Sequence, residues 1–490
     1  MRPALRFIFR GALVELKRFD PSLTVLDWLR EDQRAKGTKE GCNEGDCGAC
    51  TVVLVRAEGD HLTYRPANAC ILLLGQLDGT ELITIEDLST NQSLHPVQEA
   101  MIRHHGAQCG FCTPGIVMSL FAAYHQAPRP VEREQIETCL QGNLCRCTGY
   151  RPILDAALEV MAAPPDDVFT ESANARFLQL RALSDGADAF FGDEDQFFAA
   201  PATLNSLATL TQRFPDARFV AGATDFSLSI TKKLQHFHRI IWLGRLSALF
   251  TIEDTPDSLH LGAMVTHEEA APFLAALDPD LAVLMDRFAA KQVRSTGTVG
   301  GNIANGSPIG DLAPALIALG ATLHLQRGST QRSLPLEAFF LAYGKQDRAP
   351  DELVTGITIP KLREGQHFRC MKLSKRVDED ISAVMGAFFF SIVDGTIDVA
   401  RVAFGGMAGI PKRASATENA LIGTSLSDPH GWAMAVLNLE TDFTPLTDMR
   451  ASAAYRARTA RALLGKALLE IAGTRAQTRI HPREEAIHAG

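Results

Sequence analysis

The apolar residues at the start of the chain follow the two-residue period of β-strands. Leu5, Phe7 and Phe9 alternate along one predicted strand, Gly11 permits a turn, and 13–16 supply a returning strand. Further strands are predicted for TVVLVR at 51–56 and ELITIEDL at 81–88. The pattern therefore indicates a small β-rich domain.

One helix is predicted within this domain. Thr24 and Asp27 have the spacing of a capping box, and Val25, Leu26 and Trp28 can share one helical face with Leu29. A helix crossing a mixed sheet is the expected arrangement.

The periodicity becomes helical between residues 95 and 161. Pro114 and Pro152 stand where helices can begin, because the first helical position needs no N–H donor. The pattern predicts a compact four-helix unit. Its predicted helices follow the apolar residues near 97–102, 116–124, 131–140 and 153–160.

After the four-helix unit, APPDD at 163–167 opens a stretch of weak patterning that predicts a linker over 166–196. Short apolar strands then alternate with helical segments, and strands are predicted at 352–359 and 383–393. These features predict a two-lobed α+β region with a boundary near Pro360. The tail after Gly473 is polar and is predicted to be loosely held.

Composition places the chain among folded proteins. Of 490 residues, 46% are hydrophobic and 21% charged, and the formal net charge of −9 argues against nucleic acid as a partner. Charged residues interrupt the first apolar segment, so no signal peptide is predicted, and the longest uncharged apolar stretch, 383–393, is too short to span a bilayer. A soluble cytoplasmic protein without a membrane association is expected.

The ten cysteines are unevenly placed: nine lie between Cys42 and Cys147, and Cys370 stands alone. The segment EGCNEGDCGAC sets Cys42, Cys47 and Cys50 at the C-x4-C-x2-C spacing of a plant-type two-iron cluster, and Cys70 supplies a fourth thiol. The glycines between them let the backbone curl around a cluster. The alternative is a zinc site, although structural zinc usually takes paired C-x2-4-C arms.

A second thiol set pairs QCGFCTPG with GNLCRCTGYRPI. It contains Cys109 and Cys112 as a C-x2-C pair and Cys145 and Cys147 as a C-x-C pair, both just before predicted helix starts. The spacing leaves a second cluster, a zinc site and a redox dithiol open, and favours the cluster. Cys139 and Cys370 are interpreted as buried packing residues.

These three motifs, in this order, resemble the iron–sulfur region of the molybdenum hydroxylases, the family of xanthine dehydrogenase and aldehyde oxidase. Downstream segments at 219–230, 288–314, 371–384 and 403–414 resemble the family's FAD region. The resemblance implies an α+β multidomain chain similar to the small subunit of bacterial family members. The implied domains are a β-grasp ferredoxin-like 2Fe-2S domain (1–90), a four-helix 2Fe-2S domain (91–165), the linker (166–196), a vanillyl-alcohol-oxidase-like FAD-binding domain (197–365) and a C-terminal α+β flavoprotein domain (366–490).

No G-x-G-x-x-G fingerprint is present, so other glycine loops would hold the flavin pyrophosphate. The resemblance assigns FAD-binding roles to two loops and four further residues, and a contact with the partner's pterin to Gln108. The loops are Val220, Ala221, Gly222, Ala223, Thr224, Asp225 and Phe226, and Thr298, Val299, Gly300, Gly301 and Asn302; the further residues are Phe288, Asp311, Val354 and Lys372. Without the resemblance, Phe288 could be core packing and Lys372 a surface lysine. The acidic run 378–380 is expected near the flavin or, alternatively, in an exposed loop.

The resemblance also implies the reaction and the partners. A large molybdopterin-binding subunit would oxidise hypoxanthine to xanthine and urate, and this chain would carry electrons through two 2Fe-2S clusters and FAD to NAD⁺. A dimer of two-chain units is expected. The alternatives are the corresponding subunit of an aldehyde, nicotinate or carbon monoxide dehydrogenase, or a stand-alone ferredoxin–flavoprotein reductase.

Overall fold

The chain divides into two compact units. The computed structural model describes residues 1–89, 93–474 and 478–479. The first unit is Met1–Ser247 with Ala289–Gly297, and the second is Ala248–Phe288 with Thr298–Gly490. Residues from the predicted FAD-binding domain, 197–365, therefore contribute to both units. No helix within the described part of the chain has the length and apolar character needed to cross a bilayer.

The first sheet has the mixed topology of a β-grasp domain. Its strands are β1 (Leu5–Phe9), β2 (Ala12–Leu16), β3 (Thr51–Glu58), β4 (His61–Asn68) and β5 (Glu81–Ile83). They lie in the order β2-β1-β5-β3-β4, with β1 antiparallel to β2 and parallel to β5. Strand β4 was not predicted from the sequence, because it carries polar residues and Pro66. Proline is tolerated there because β4 is an edge strand.

The predicted cap at Thr24 is confirmed. Its hydroxyl accepts a hydrogen bond from the Asp27 main-chain N–H at 3.1 Å, and helix Val25–Asp27 continues as the π-helical turn Trp28–Asp32. The strand predicted over 81–88 is shorter than expected, ending at Ile83. Thr84 ends it by donating to the Asp87 carboxylate, which starts a 3₁₀ turn.

Four helices form the next part of the first unit, as predicted. Helix Thr113–Gln126 is buried along most of its length and packs against β3 and β4. Proline occupies the first turn of three of the four helices, where its missing N–H costs nothing. The helices are Pro96–Arg103, Thr113–Gln126, Arg133–Leu140 and Arg151–Val160.

The segment predicted as a linker, 166–196, is instead largely ordered into secondary structure. It contains helices Val168–Glu171 and Ala173–Leu183 and strand β6 (Ala189–Gly192). The longer helix buries only Leu180 and Leu183, so its sequence lacks the apolar stripe that predicts a helix.

A third group of elements completes the first unit. It consists of β6, β7 (Phe197–Ala200), β8 (Arg218–Val220) and β9 (Arg239–Trp242), with helices Leu204–Arg213, Phe226–Thr231 and Lys291–Arg294. The strands lie in the order β6-β7-β9-β8, and β9 runs parallel to both neighbours.

The second unit contains an antiparallel sheet of order β10-β11-β16-β12-β13 and a separate two-stranded ribbon, β14-β15. The strands are β10 (Ile252–Asp254), β11 (Ser258–Gly262), β12 (Thr322–Arg327), β13 (Thr330–Pro335), β14 (Phe340–Ala342), β15 (Lys345–Gln346) and β16 (Leu353–Pro360). The associated helices are His267–Leu277, Pro279–Asp286, Val299–Asn305, Leu312–Ala318 and Leu336–Phe339.

A second antiparallel sheet follows, of β17 (Gln366–Leu373), β18 (Val384–Val393), β19 (Thr396–Gly405) and β20 (Lys412–Arg413). The apolar run at 383–393 forms β18, whose Phe388 and Phe404 of β19 pack edge to face at 5.5 Å. The helices of this region are Ser415–Leu421, Pro429–Val436, Leu439–Asp442 and Ala453–Ile471.

The predicted loose tail is anchored at Thr478, whose hydroxyl donates to the Glu470 carboxylate at 2.8 Å, and at Arg479. The Arg479 guanidinium contacts the Asp280 carboxylate at 2.7 Å and the Glu470 carboxylate at 2.7 Å, because its fork matches two acids at once. Residues 475–477 and 480–490, which the same prediction covers, lie outside the described residues.

Candidate cluster and flavin sites

The first thiol set converges in the first unit. The sulfurs of Cys50 and Cys70 lie 3.3 Å apart, and both residues are buried. Cys42 Sγ accepts hydrogen bonds from the main-chain N–H groups of Asp46 and Cys47, each at 3.3 Å. Such N–H donors stabilise negative charge on sulfur. The loop therefore presents four thiols and inward-facing donors to a common centre.

The thiols of this site strongly perturb one another. Hydrogen bonding with Cys47 and Cys70 lowers the pKa of the Cys42 thiol. Hydrogen bonding with Cys42 raises the pKa of both Cys47 and Cys70, and burial adds to each rise. Holding all four groups as thiolates would need a compensating cation, which the iron of a cluster would supply.

The loop's glycines have close neighbours. A Cβ on Gly41 would stand 2.7 Å from Cys47 Sγ. Gly48 has φ +66°, and a Cβ there would stand 2.0 Å from the Gly142 carbonyl oxygen. The sequence prediction that glycines are needed for the loop to curl agrees with these distances.

The second thiol set also converges, nearer the surface. Cys109 and Cys147 are exposed with sulfurs 3.6 Å apart, whereas Cys112 and Cys145 are half-buried. Cys112 directly precedes helix Thr113–Gln126. Burial and hydrogen bonding with Cys145 raise the pKa of the Cys112 thiol to about 12.

Hydrogen bonds hold the C-x-C turn. The main-chain N–H of Cys145 donates to Tyr150 Oη at 2.8 Å, and Thr148 Oγ1 donates to Cys145 Sγ at 3.2 Å. Burial works against a charged Cys145 thiol, but hydrogen bonds to its sulfur from the Thr148 hydroxyl and from the N–H groups of Thr148 and Cys147 outweigh burial and lower the pKa of the Cys145 thiol. Gln108, before this site, is exposed.

The two remaining cysteines, Cys139 and Cys370, belong to neither set. Cys370 is buried on β17, where its N–H donates to the Asp280 carboxylate at 3.0 Å. Cys139 is half-buried against the core of the helical region. Both positions agree with the interpretation as packing residues.

The first flavin loop, 220–226, lies in the first unit. A Cβ on Gly222 would stand 2.1 Å from the Thr296 carbonyl oxygen, and Ala223 adopts φ +67°. A tight turn with a residue in the left-handed region is a backbone form that can bind a phosphate through its amides. The Phe226 ring packs on Phe237 at 4.6 Å.

The second flavin loop, 298–302, begins helix Val299–Asn305 in the second unit. Thr298 caps the helix by accepting from the Gly301 N–H at 3.1 Å, and a Cβ on Gly300 would stand 2.6 Å from Ala263 Cα. Val354 is buried in β16 and pairs with Leu325 of β12.

Lys372 is buried, which excludes the interpretation as a solvated surface lysine. Its Nζ donates to Asp311 Oδ2 at 2.7 Å and to the Arg287 carbonyl oxygen at 3.2 Å. Ser382 Oγ donates to the other oxygen of Asp311 at 2.5 Å. The resemblance assigns both Lys372 and Asp311 to the flavin site, and the structure joins them in one ion pair.

Phe288 and the acidic run lie in the second unit. The Phe288 ring packs against His267 at 4.5 Å. Asp380 accepts from the N–H groups of Lys375 and Arg376, and although burial opposes it, these bonds lower the Asp380 pKa. Arg287 donates to the carbonyl oxygens of Lys372 and Val377 and so fixes the same loop.

Four family models match the chain in succession. They are the 2Fe-2S iron–sulfur cluster binding domain (12–74), the [2Fe-2S] binding domain (84–158), the FAD binding domain in molybdopterin dehydrogenase (193–362) and the CO dehydrogenase flavoprotein C-terminal domain (369–471). The chain belongs to the molybdenum hydroxylase family. It carries two 2Fe-2S binding domains and an FAD-binding domain, and the fold class implied by the resemblance is confirmed.

Relatives of this molybdenum hydroxylase chain include xanthine dehydrogenases. It is 31% identical to xanthine dehydrogenase of Emericella nidulans over 90% of this chain and 36% of the relative. It is 33% identical to xanthine dehydrogenase/oxidase of Rattus norvegicus over 82% of this chain and 34% of the relative. The chain thus spans about a third of the length of these relatives.

Solved structures of molybdenum hydroxylases share part of this fold. Reconstituted CO dehydrogenase from Oligotropha carboxidovorans matches 58% of this chain and 99% of its own at 27% identity and a TM-score of 0.53. Quinoline 2-oxidoreductase from Pseudomonas putida 86 matches 56% of this chain and 95% of its own at 26% identity and a TM-score of 0.51.

Sequence reasoning missed a buried polar network beside the thiol sites. Thr51, Ser119, Asn143 and Gln292 are each buried and hydrogen-bonded to one another. Asn143 lies within the recognised motif GNLCRCTGYRPI, so the sequence did indicate that it stands near the second thiol set. Gln292 lies within the recognised FAD segment 288–314, but nothing in the sequence linked it to the thiol sites, because it is distant in sequence from every cysteine of the two sets.

Proposed function

We propose that this chain is the electron-transfer component of a xanthine dehydrogenase. Electrons would come from a molybdenum cofactor on a partner polypeptide and pass through two 2Fe-2S clusters and FAD to NAD⁺. Each turnover would add one water-derived oxygen to hypoxanthine or xanthine and remove two electrons, giving xanthine or urate and NADH.

The arrangement of the two thiol sites carries this proposal. Cys50 and Cys70 of the first site are buried, whereas Cys109 and Cys147 of the second are exposed beside exposed Phe111. A surface cluster can receive electrons from a partner, and an inner cluster can pass them on. The proposed ligands are Cys42, Cys47, Cys50 and Cys70 for one cluster and Cys109, Cys112, Cys145 and Cys147 for the other.

The proposed FAD residues are those of loops 220–226 and 298–302 with Phe288, Asp311, Val354 and Lys372. Bound FAD would exchange single electrons with the clusters and a hydride with NAD⁺. The chain's own part would be to offer the backbone of the Gly222 turn to phosphate and to fix Lys372 through Asp311, since the Gly300 N–H already donates to the Ala263 carbonyl oxygen at 3.0 Å. Gln108 is proposed to contact the partner's pterin.

Two observations support a separate molybdenum polypeptide. Just over half of this chain covers almost the whole of one solved CO dehydrogenase chain, so a matched part of this fold exists there as a polypeptide of its own. The exposed apolar side chains of Phe111 and Leu144 beside the second thiol site suit a protein interface. A dimer of two-chain units in the cytoplasm is the assembly we propose.

Cys109→Ser tests the proposed route. The variant should retain flavin and NADH-to-dye electron transfer while losing purine-driven NAD⁺ reduction, because only the outer cluster is altered. Wild-type purine turnover in the variant would rule out the route. Thr80→Val, a buried change away from both thiol sets, is the matched control.

A second candidate is the corresponding component of another molybdenum hydroxylase, favoured by the structural likeness to CO dehydrogenase and quinoline 2-oxidoreductase. Copurification separates the candidates, since substrate specificity would reside on the partner. A molybdenum-containing partner active on purines supports the first, and one active on aldehydes, nicotinate or carbon monoxide supports the second. A stand-alone active monomer would indicate a ferredoxin–flavoprotein reductase.

A further inference from the structure

Gln292 is a fully buried polar residue in the short helix Lys291–Arg294 of the first unit. Its amide nitrogen lies within hydrogen-bond distance of three side-chain oxygens, Asn143 Oδ1 at 2.9 Å, Ser119 Oγ at 3.1 Å and Thr51 Oγ1 at 3.3 Å, and its two N–H groups donate among them. The carbonyl oxygen Oε1 of Gln292 is buried without a hydrogen-bond partner among the described residues, so the bonds of the amide nitrogen must offset the cost of burying the amide. A position used only for packing would favour an apolar side chain, so the amide serves to orient its neighbours.

The three acceptors bond to one another as well. Ser119 Oγ donates to Asn143 Oδ1 at 2.6 Å, and Thr51 Oγ1 donates to the Gly48 carbonyl oxygen at 2.7 Å. Asn143 Nδ2 donates toward the same Gly48 oxygen at 3.2 Å. The hydroxyl hydrogens of Ser119 and Thr51 are thus already used in hydrogen bonds. The Gln292 amide is the further donor that joins the three acceptors in one network.

Each acceptor is adjacent to an element that bears proposed cluster ligands. Thr51 directly follows Cys50 of the first site. Asn143 stands two residues before Cys145 of the second site, and Ser119 lies on the helix that begins after Cys112. One side chain therefore constrains the ligand-bearing elements of both thiol sites at once.

We propose that Gln292 is a positioning residue for electron transfer between the two clusters, an inference that rests on the proposed function. With both clusters bound, the step would be a one-electron transfer in which one cluster would be oxidised and the other reduced, with no bond or proton changing place. Gln292 touches neither cluster ligand set directly, and acts by fixing Thr51 and Asn143. Gln292 lies in the segment matched by the FAD-domain model, so a residue of the flavoprotein region helps to position the elements that bear the proposed cluster ligands.

Gln292→Met tests the inference, because methionine keeps the length of the side chain and removes its hydrogen bonds. The full chain is purified with its cofactors, and iron and acid-labile sulfide are measured. Electron paramagnetic resonance of the dithionite-reduced protein then reports the magnetic coupling between the clusters, and flash reduction reports the transfer rate. We expect both clusters to be retained and the magnetic coupling between them to change. Electron transfer between them should slow about tenfold, a loss typical when a residue that orients the ligands of a metal site is removed.

Thr80→Val is the matched control. The Thr80 hydroxyl is buried in the same unit and donates to the Leu77 carbonyl oxygen at 2.7 Å, so its loss destabilises the fold without touching the network. Ser119→Ala is the second variant, which removes one acceptor and should give a smaller change in the same direction, including where Gln292→Met does not fold.

The outcomes separate this inference from the proposed function. Wild-type coupling and transfer rate in Gln292→Met and Ser119→Ala, or equal changes in Thr80→Val, would overturn the role of Gln292 alone. An unaltered chain that binds fewer than two reducible clusters would overturn the proposed function and this inference with it.

Discussion

The main-chain N–H of Leu144 donates a hydrogen bond to the carbonyl oxygen of Cys47 at 3.0 Å. Cys47 belongs to the first thiol set, and Leu144 directly precedes Cys145 of the second. The two loops are therefore joined backbone to backbone, which gives a short route of covalent bonds and one hydrogen bond between the proposed clusters. Close approach of the loops depends on the glycines beside this bond.

Gly48→Ala should disrupt this contact. The new Cβ would stand 2.0 Å from the Gly142 carbonyl oxygen, and the φ of +66° penalises any side chain. We expect lower occupancy of both clusters and a loss of unfolding free energy well above the roughly 1–2 kcal/mol that a left-handed conformation alone costs. Iron content and urea unfolding measure the two effects.

Gly79→Ala is the control for that substitution. Gly79 has a similar φ of +73° and no atom within 4 Å of an added Cβ. It should show only the conformational cost, with normal iron content. Equal losses in the two variants would show that the Gly48–Gly142 approach has no special importance.

Iron should leave the two sites at different rates. Cys109 and Cys147 are exposed, whereas Cys50 and Cys70 are buried, so an oxidant or chelator reaches the second site first. We expect two kinetic phases of iron loss, the faster accompanied by loss of the second cluster's paramagnetic signal. In Cys109→Ser the fast phase should disappear; its persistence would place the labile iron at the first site.

The buried pair of Lys372 and Asp311 should be energetically coupled. Lys372→Met leaves the Asp311 charge buried without its cation, and such a loss typically costs about 3–5 kcal/mol. Asp311→Asn should cost a similar amount, and the double variant less than the sum of the two. Urea unfolding of the four proteins measures the coupling, and a strictly additive result would contradict it; flavin content of the single variants reports the proposed role in binding FAD.

Local patterns explain which parts of the fold were predictable. The alternation of Leu5, Phe7 and Phe9 predicts β1 because successive side chains of a strand point to opposite faces, and in the structure Ile8 between them is buried as well, in a different core cluster. Thr24 predicts a helix start because its hydroxyl can accept from the Asp27 N–H. Strand β4 was not predicted because Pro66 argues against a strand unless that strand lies at the edge of a sheet. Whether a strand lies at an edge is known only from the assembled sheet.

The candidate sites likewise contain some features that the sequence predicts and others that only the folded structure reveals. Cysteine spacing is a local signal, so both thiol sets could be recognised before the structure, and all eight sulfurs fall into the two expected groups. The burial of Lys372 and the network around Gln292 depend on contacts between residues far apart in sequence. Periodicity and spacing carry no information about such contacts.

Asp167 is the shared acceptor of two histidines in the helical region. His95 Nε2 lies 2.7 Å and His125 Nε2 2.9 Å from Asp167 Oδ2, and the Thr170 N–H donates to Oδ1 at 2.7 Å. His95 Nδ1 accepts from the Val97 N–H, so the proton of a neutral His95 is on Nε2, facing Asp167. Although burial opposes ionisation, these donors lower the pKa of Asp167 below its ordinary value.

Because the Asp167 pKa is lower in the folded than in the unfolded state, its contribution to stability is present above the unfolded value of about 3.9 and is lost as the pH falls below it. Asp167→Asn should cost about 1.5–3 kcal/mol at pH 7, the range for hydrogen bonds to a charged group. It should also flatten the fall in melting temperature between about pH 5 and pH 3. Asp166→Asn, which alters the exposed neighbouring carboxylate, should leave both unchanged. If Asp167→Asn keeps the wild-type dependence of melting temperature on pH, then residues 167–171 are held against the helices of His95 and His125 by something other than the charge of the carboxylate.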